Sequence, residues 1–396
     1  MRSINERWGT YRAVGLCLIG QACSSSDEGG ARSASYVENS SSSYEGAEEA
    51  SGDLDSGDSM SIGPTGTSAP PADVDDSAGE SEGIAADPAE PLPPGGGNGS
   101  IEPGTLTAGA WDDNRNIDRF LEYRASLYGS QMAGLLDFEE EEHLEAAQAT
   151  DALTPHTVLD VALVIDTTGS MGDELRYLQT EFDALSLAIE ERYPLAEQRW
   201  ALVVYRDASD AYITRSFDFE ASAATFRASL EQQSSEGGGD IPEASHAALE
   251  AMNQLSWRAD DTSRLAFWVG DAPHHANRAG ALSSAIRGAR EQGIHLYPVA
   301  SSGVDELTEL SMRSAAQLTL GRYLFLTDDS GVGNDHKEPT IPCYFVTRLS
   351  DAILRMVEIE MSGVYREPDP TKVLRMGGSP ADGACLLESG QTVFAY

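Results

Sequence analysis

Asp166, Thr168 and Ser170 stand at alternate positions in the run 158–172, V-L-D-V-A-L-V-I-D-T-T-G-S-M-G. A carboxylate and two hydroxyls on one tight turn present three oxygens at a single point. That is the donor set a hard divalent cation takes, Mg2+ first and Mn2+ or Ca2+ as alternatives. The apolar, β-branched residues ahead of Asp166 read as a strand buried on both faces, the habit of parallel strands under helices. The carboxyl end of such a strand is where open α/β sheets hold their ligands. Two further stretches offer oxygens in the same way. One is the loop Gly237-Gly238-Gly239-Asp240-Ile241-Pro242-Glu243; the other is Phe267-Trp268-Val269-Gly270-Asp271-Ala272-Pro273-His274-His275, a second apolar strand ending in an acid.

In order and spacing these three stretches resemble the metal-ion-dependent adhesion site of the von Willebrand factor A-type domain, whose first motif is D-x-[ST]-x-S after the first strand. The resemblance covers roughly residues 155–362. It implies that Thr168 and Ser170 contact the metal, that Asp166 and Asp271 bind it directly or through water, and that one coordination position stays open for an acidic side chain of a partner protein. The second loop departs from the pattern: where a Thr is expected, this chain has Gly239 and then Asp240. Asp240 either joins the metal shell or caps a helix that starts at Pro242. In the second case Ser234 or Ser235 supplies the missing hydroxyl. An extra carboxylate tightens metal binding but blunts the pull on an anionic ligand.

Other residues carry less chemistry. His274 and His275 are vicinal, but no Cys or further His is placed to complete a tetrahedral zinc set, so they read as the rim of the site. Tyr205-Arg206-Asp207 resembles the family's Y-R-D and reads as a structural salt bridge near the sheet edge. His336 and Glu338 fall in a loop, 327–342, that reads as a surface connection.

The elements that position these residues alternate. Apolar residues step by three and four from Met171 to Ile189, the stripe of a helix with one buried face. Strands are expected at 200–205, 212–217, 265–269, 294–299 and 323–326. Helices are expected at 221–233, from Pro242 to 257, at 278–291 and at 304–318, and last a helix with Phe345, Leu349, Ile353, Met356 and Ile359 on one face. This alternation predicts an α/β fold: a doubly wound, mostly parallel sheet with helices on both faces and one antiparallel edge strand. Ahead of it, 105–150 reads as a strand–helix segment containing Leu106-Thr107-Ala108-Gly109-Ala110-Trp111-Asp112-Asp113-Asn114. That stretch is similar to L-T-A-G-x-x-D-[DN] segments that precede A-type domains in some bacterial envelope proteins. The tail, 363–396, suggests one or two short strands.

The amino terminus reads as a targeting segment. Arg2, Arg7 and Arg12 precede an apolar run, 13–22, too short to span a bilayer. Ala22-Cys23-Ser24 resembles a lipoprotein cleavage site, although Gly20 stands where Leu is preferred. Residues 1–23 are therefore a signal peptide, with Cys23 lipidated or the signal an ordinary secretory one. Residues 24–104 are Ser, Gly, Asp, Glu, Pro and Ala with few large apolar side chains, the composition of a disordered, self-repelling linker. Of the four cysteines, Cys343 and Cys385 remain for a disulfide in an oxidising compartment, expected to tie the tail to the last helix.

A net charge of −39, with Lys only at 337 and 372, excludes nucleic acid and anionic lipid as partners. Enzyme motifs fail in detail. A phosphatase reading D-x-D-x-[TV] needs an acid where Thr168 stands. The aspartic-protease motif D-T-G-[ST] has one residue too many here and no second copy. The expectation is a non-catalytic, metal-dependent protein-binding or adhesion module of the cell envelope. The alternative is a scaffold whose metal site only stabilises it, and a metal-dependent phosphatase-like enzyme stands third.

Overall fold

The computed structural model describes residues 105–149, 154–239, 241–259, 261–331 and 335–395. The signal segment with Cys23, the acidic linker and Asp240 lie outside the described residues.

Among the described residues, nine strands share one sheet. Five of them run parallel at its centre: β3 (Glu197–Tyr205), β2 (Val158–Asp166), β5 (Thr262–Gly270), β6 (Ile294–Ala300) and β7 (Tyr323–Thr327), in that spatial order. β4 (Thr214–Glu220) closes one edge antiparallel to β3. On the other flank β1 (Thr107–Trp111) pairs antiparallel with β7, β8 (Tyr344–Arg348) with β1, and β9 (Arg375–Gly377) with β8. The fold is the α/β architecture read from the sequence, but antiparallel strands flank both sides where one edge strand was expected. The addition comes from β1, which precedes the parallel core in the chain yet satisfies the open hydrogen-bonding edge of β7.

Alternate side chains of the central strands face two cores. Leu159, Val161, Leu163 and Ile165 of β2 pack with α3 (Gly172–Arg192), α4 (Ala223–Glu231) and α8 (Leu349–Ser362). Ala162 and Val164 face the layer of α5 (Ser245–Asn253), α6 (Ala279–Glu291) and α7 (Glu306–Leu318). No helix among the described residues is long and apolar enough to cross a membrane.

Two local expectations change. Phe345 lies on β8, and the last helix starts at Leu349. The sequence Tyr344-Phe345-Val346-Thr347 is aromatic and β-branched, which suits a strand beside β1 better than the first turn of a helix. The Cys343–Cys385 disulfide forms, but it ties the tail hairpin β10 (Ala384–Leu386) and β11 (Thr392–Phe394) to the residue just ahead of β8, not to the helix.

The turn after β1 is held by buried charges. Asp112 pairs with Arg322 at 2.9 Å, and Asp113 with Arg313 at 2.7 Å; Arg313 also reaches Glu309 at 3.1 Å. Removing one partner of such a pair strands the other in a medium that cannot solvate it. Asn114 meets Gln317, whose amide nitrogen donates to Asn114 Oδ1 and to the His143 carbonyl. The Gln317 oxygen must therefore accept, so His143 Nδ1, 2.6 Å away, carries the proton.

His143, in α2 (Glu140–Ala149), sits edge-on to Phe120 of α1 (Ile117–Gly129) and to Phe138. Burial holds its imidazole down at about 4, against the ordinary 6.5. A depressed folded-state value means that stability is complete above the unfolded value and is lost as pH falls from there through the folded one. Wild type is expected to lose on the order of 3 kcal/mol through this one group between about pH 7 and pH 4. Denaturant midpoints should fall more steeply over that window than those of His143→Gln; parallel slopes would exclude the neutral buried imidazole.

Candidate metal centre

β2 and β5 are parallel neighbours in register, Ile165 beside Val269, so their carboxyl ends bring Asp166 and Asp271 to one end of the sheet. Asp166 is fully buried. Its Oδ1 accepts the Thr168 backbone N–H at 2.9 Å and the Thr168 hydroxyl at 2.7 Å. Thr168 Oγ1 lies 3.5 Å from Ser170 Oγ, and Ser170 is near enough to Asp271 to pull its carboxyl down against burial. Asp166, Thr168, Ser170 and Asp271 thus form one continuous run of oxygens, with Ser170 at its exposed end.

The glycine-rich loop is pinned on this run. Gly169 N–H donates to Gly237 O at 3.2 Å, and Glu236 N–H to Thr167 O at 3.1 Å. Ser235 spends its hydroxyl on the Thr168 carbonyl, which clamps the two loops together. Gly238 has a φ of 67°, and a Cβ there would lie 2.7 Å from Thr168 Cβ. Both conditions require glycine. The helix expected to begin at Pro242 begins at Ser245, with Ala244 at the cap position. The delay has a cause: Glu243 donates its backbone N–H to Pro273 O at 2.9 Å and bridges His274 as a strand residue.

That bridge places Glu243 at the site, a residue to which the sequence assigned no role although it ends the quoted loop. Glu174, in the first turn of α3, is a second such residue. Both are buried. Four carboxylate oxygens, Asp166 Oδ2, Glu174 Oε2, Glu243 Oε2 and Asp271 Oδ1, are buried without a hydrogen-bond donor. The electrostatics agree. Burial, and then the charge of Asp271, push the Asp166 carboxyl up to about 7 against the pull of the Thr168 hydrogen bonds. Burial and then the charges of Asp166, Asp207, Asp210 and Asp271 push Glu243 up to about 8. Asp271 is raised by burial first and by Glu174 after it.

A divalent cation is the kind of group that satisfies several such oxygens at once. Among the described residues no three His, Cys, Asp or Glu side chains meet as a ready-made chelate. The donors here are two hydroxyls combined with carboxylates, a set suited to a hard ion that keeps some of its water. These residues fit such an ion.

The rim is settled by pairing. His275 Nε2 lies 2.5 Å from Asp207 Oδ1, whereas His274 turns to Gly134 O at 2.8 Å and to Ser311 at 3.4 Å. The two imidazoles diverge. Asp207 pairs with His275 rather than with Arg206, which donates to Ser234 O and lies over Tyr212. His336, read as part of a surface loop, is buried against Glu174.

A doubly wound α/β domain with an oxygen-lined crevice at the carboxyl ends of two adjacent strands is a defined class. Residues 160–319 match the family model described as von Willebrand factor A domain, and the chain carries a domain of that type. Two curated relatives match shorter stretches. The alpha-protein kinase vwkA of Dictyostelium discoideum is 24% identical over 148 residues, 37% of this chain and 23% of that protein. A putative ariadne-like RING finger protein of Acanthamoeba polyphaga mimivirus is 32% identical over 123 residues, 31% of this chain and 12% of that protein. The match thus spans less than a quarter of either relative. Among solved structures, BatB from Bacteroides thetaiotaomicron superposes with a TM-score of 0.35 at 15% identity, covering 52% of this chain and 98% of that one. The pilus adhesin SpaC from Lactobacillus rhamnosus GG, in its open conformation, gives 0.32 at 11%, covering 41% and 26%.

Gly238 makes a direct test of the loop contact. Gly238→Ala adds both a left-handed backbone penalty and a collision with Thr168, and should destabilise the domain by at least about 1 kcal/mol. Chemical denaturation reads this; a neutral result would mean that the loop does not press on the first motif.

Proposed function

We propose that the domain is a protein-binding module that works through a divalent cation held at the carboxyl end of β2 and β5. The observation that carries this reading is the set of buried, unpartnered oxygens of Asp166 and Asp271 on either side of the Thr168 and Ser170 hydroxyls. In this reading the two hydroxyls touch the ion, and the acids bind it directly or through water. Asp240 is the candidate further donor, and Glu243 holds the far side. When bound, the ion supplies a fixed positive charge facing outward. The chain's own residues orient it, exclude water from its inner side and leave Ser170 at the opening. An acidic side chain of a partner protein is the group such an opening takes. Mg2+ fits best, with Mn2+ and Ca2+ as alternatives. The reading is non-catalytic, and it belongs with an exported chain anchored or displayed at the cell envelope, with Cys23 as the candidate anchor.

A scaffold reading, in which the ion only stabilises the fold, draws on the two added acids. Glu174 and Glu243 lower the net charge that an approaching carboxylate meets.

Thermal unfolding with and without Mg2+ tests the cation. Wild type should melt higher as Mg2+ is added, whereas Asp166→Asn and Asp271→Asn should show no Mg2+ response. In chelator each variant should melt above wild type, because it removes an unpaired buried charge. A wild-type melting temperature indifferent to Mg2+, Mn2+ and Ca2+ would end the reading. Where Mg2+ does bind, binding of a peptide with one free carboxylate separates the module from the scaffold: Mg2+-dependent binding, lost in Asp271→Asn, supports the module.

A further inference from the structure

Glu174 and His336 join the candidate metal centre to a part of the chain the metal-site motifs do not include. Glu174 is 1% exposed and rises from the first turn of α3, four residues after Ser170. One of its oxygens, Oε2, has no hydrogen-bond donor. The other, Oε1, accepts the Ser302 hydroxyl at 3.5 Å and lies 3.8 Å from His336 Nε2, an ion-pair distance rather than a hydrogen bond. On its far side His336 Nδ1 is 2.9 Å from Asp328 Oδ1, which also accepts the His336 backbone N–H at 2.8 Å. The His336 side chain is 1% exposed.

Each ring nitrogen of His336 therefore faces a carboxylate, and only the doubly protonated ring has a proton to offer both. Burial alone would lower this imidazole; Glu174 and Asp328 outweigh burial and raise it. Glu174 also lies close enough to Asp271 to raise that carboxyl. The order in space is Asp271, Glu174, His336, Asp328: two adjacent acids, then the imidazole, then an acid at the surface, where the Asp328 side chain is 60% exposed. The segment that carries His336 is anchored. Glu338 accepts from Arg375 and from Tyr344, Arg375 holds Asp329 at 2.8 Å, and the Cys343–Cys385 disulfide closes the segment.

We propose that His336 is a positioning residue for the metal centre: its cation, acting through Glu174, sets how much negative charge the bound ion feels. This rests on the cation reading above. With His336 present, Glu174 is balanced and the ion keeps charge for an outside ligand. Without it, Glu174 faces the ion alone. Outer partners of metal sites act this way, and their loss commonly changes affinity by roughly tenfold or more.

The test is a double-mutant cycle on Mg2+ affinity, measured by calorimetry on the full chain. Glu174→Gln should weaken Mg2+ binding by roughly tenfold. His336→Gln should tighten it several-fold and weaken binding of a carboxylate peptide to the loaded protein. In Glu174→Gln/His336→Gln the affinity should equal that of Glu174→Gln alone, since His336 acts only through Glu174. Asp328→Asn, at a side chain that is 60% exposed, should shift affinity in the same direction as His336→Gln but less. A merely structural His336 would lower the melting temperature and leave this pattern absent. Wild type that binds no Mg2+ overturns the cation reading and this inference with it. Wild type that binds, with a His336 effect of equal size whether residue 174 is Glu or Gln, or with no effect, overturns the inference alone.

Discussion

Like-charged carboxylates, buried together without enough donors, are the constraint on which this structure turns. Asp166, Glu174, Glu243 and Asp271 each keep one oxygen that no protein group satisfies. In a low-dielectric crevice such groups repel one another and lose the solvation that water would give them. A fold holds them only if the surrounding framework is rigid and strong. Here the framework is the parallel core, where β2 and β5 exchange a full ladder and bury both faces under helices. Stability is provided in the middle of the sheet and spent at its carboxyl end, the usual division between packing and site.

The flank built by β1 serves the same division. Inserting β1 between β7 and β8 covers an edge that the parallel core leaves open, and the Asp112 and Asp113 pairs fix the turn beyond it to Arg322 of the segment before β7 and to Arg313 of α7. α7 follows the β6 strand whose end carries Ser301 and Ser302, and Ser302 donates to Glu174. The buried ion pairs are thus one packed step from the candidate centre. They contribute little to net stability as pairs, but they set the position of α7 and leave it few alternatives.

Much of this was legible in the residues. The nearly unbroken, β-branched apolar run ending in Asp166 and the apolar run ending in Asp271 read as strands buried on two faces, and two such strands side by side bring their terminal acids together. Alternation of strand and helix then sets the architecture. What was not legible depended on pairing across long sequence separations. Tyr344-Phe345-Val346-Thr347 carries apolar residues that fit a helical stripe as well as a strand, and only the presence of β1 as a neighbour decides. Glu243 could not be separated from an ordinary acid beside a helix start, because the bridge to His274 that aims it is a tertiary contact. His336 sits between charged residues in a loop with no periodicity, and nothing local announces that its ring is buried. Asp240 remains a residue of the sequence reading alone.

Charge balance around the crevice follows from the two histidines at its borders. His275 takes up Asp207 on the side of β3, and His336 takes up Glu174 on the side of β7. In the cation reading proposed above, the acids paired in this way would stand behind Asp166, Asp271 and Glu243, which would be the ion's immediate anions. Coulomb attraction falls only inversely with distance at low dielectric, so a carboxylate in the next layer still counts. An ion ringed by unbalanced acids would be held tightly and would attract nothing further. An ion whose outer acids are paired with other groups would keep more of its outward field. The distribution of histidines at the border therefore bears on whether this centre recognises an acidic partner or simply braces the sheet, and the ion-facing motifs alone do not contain that distinction.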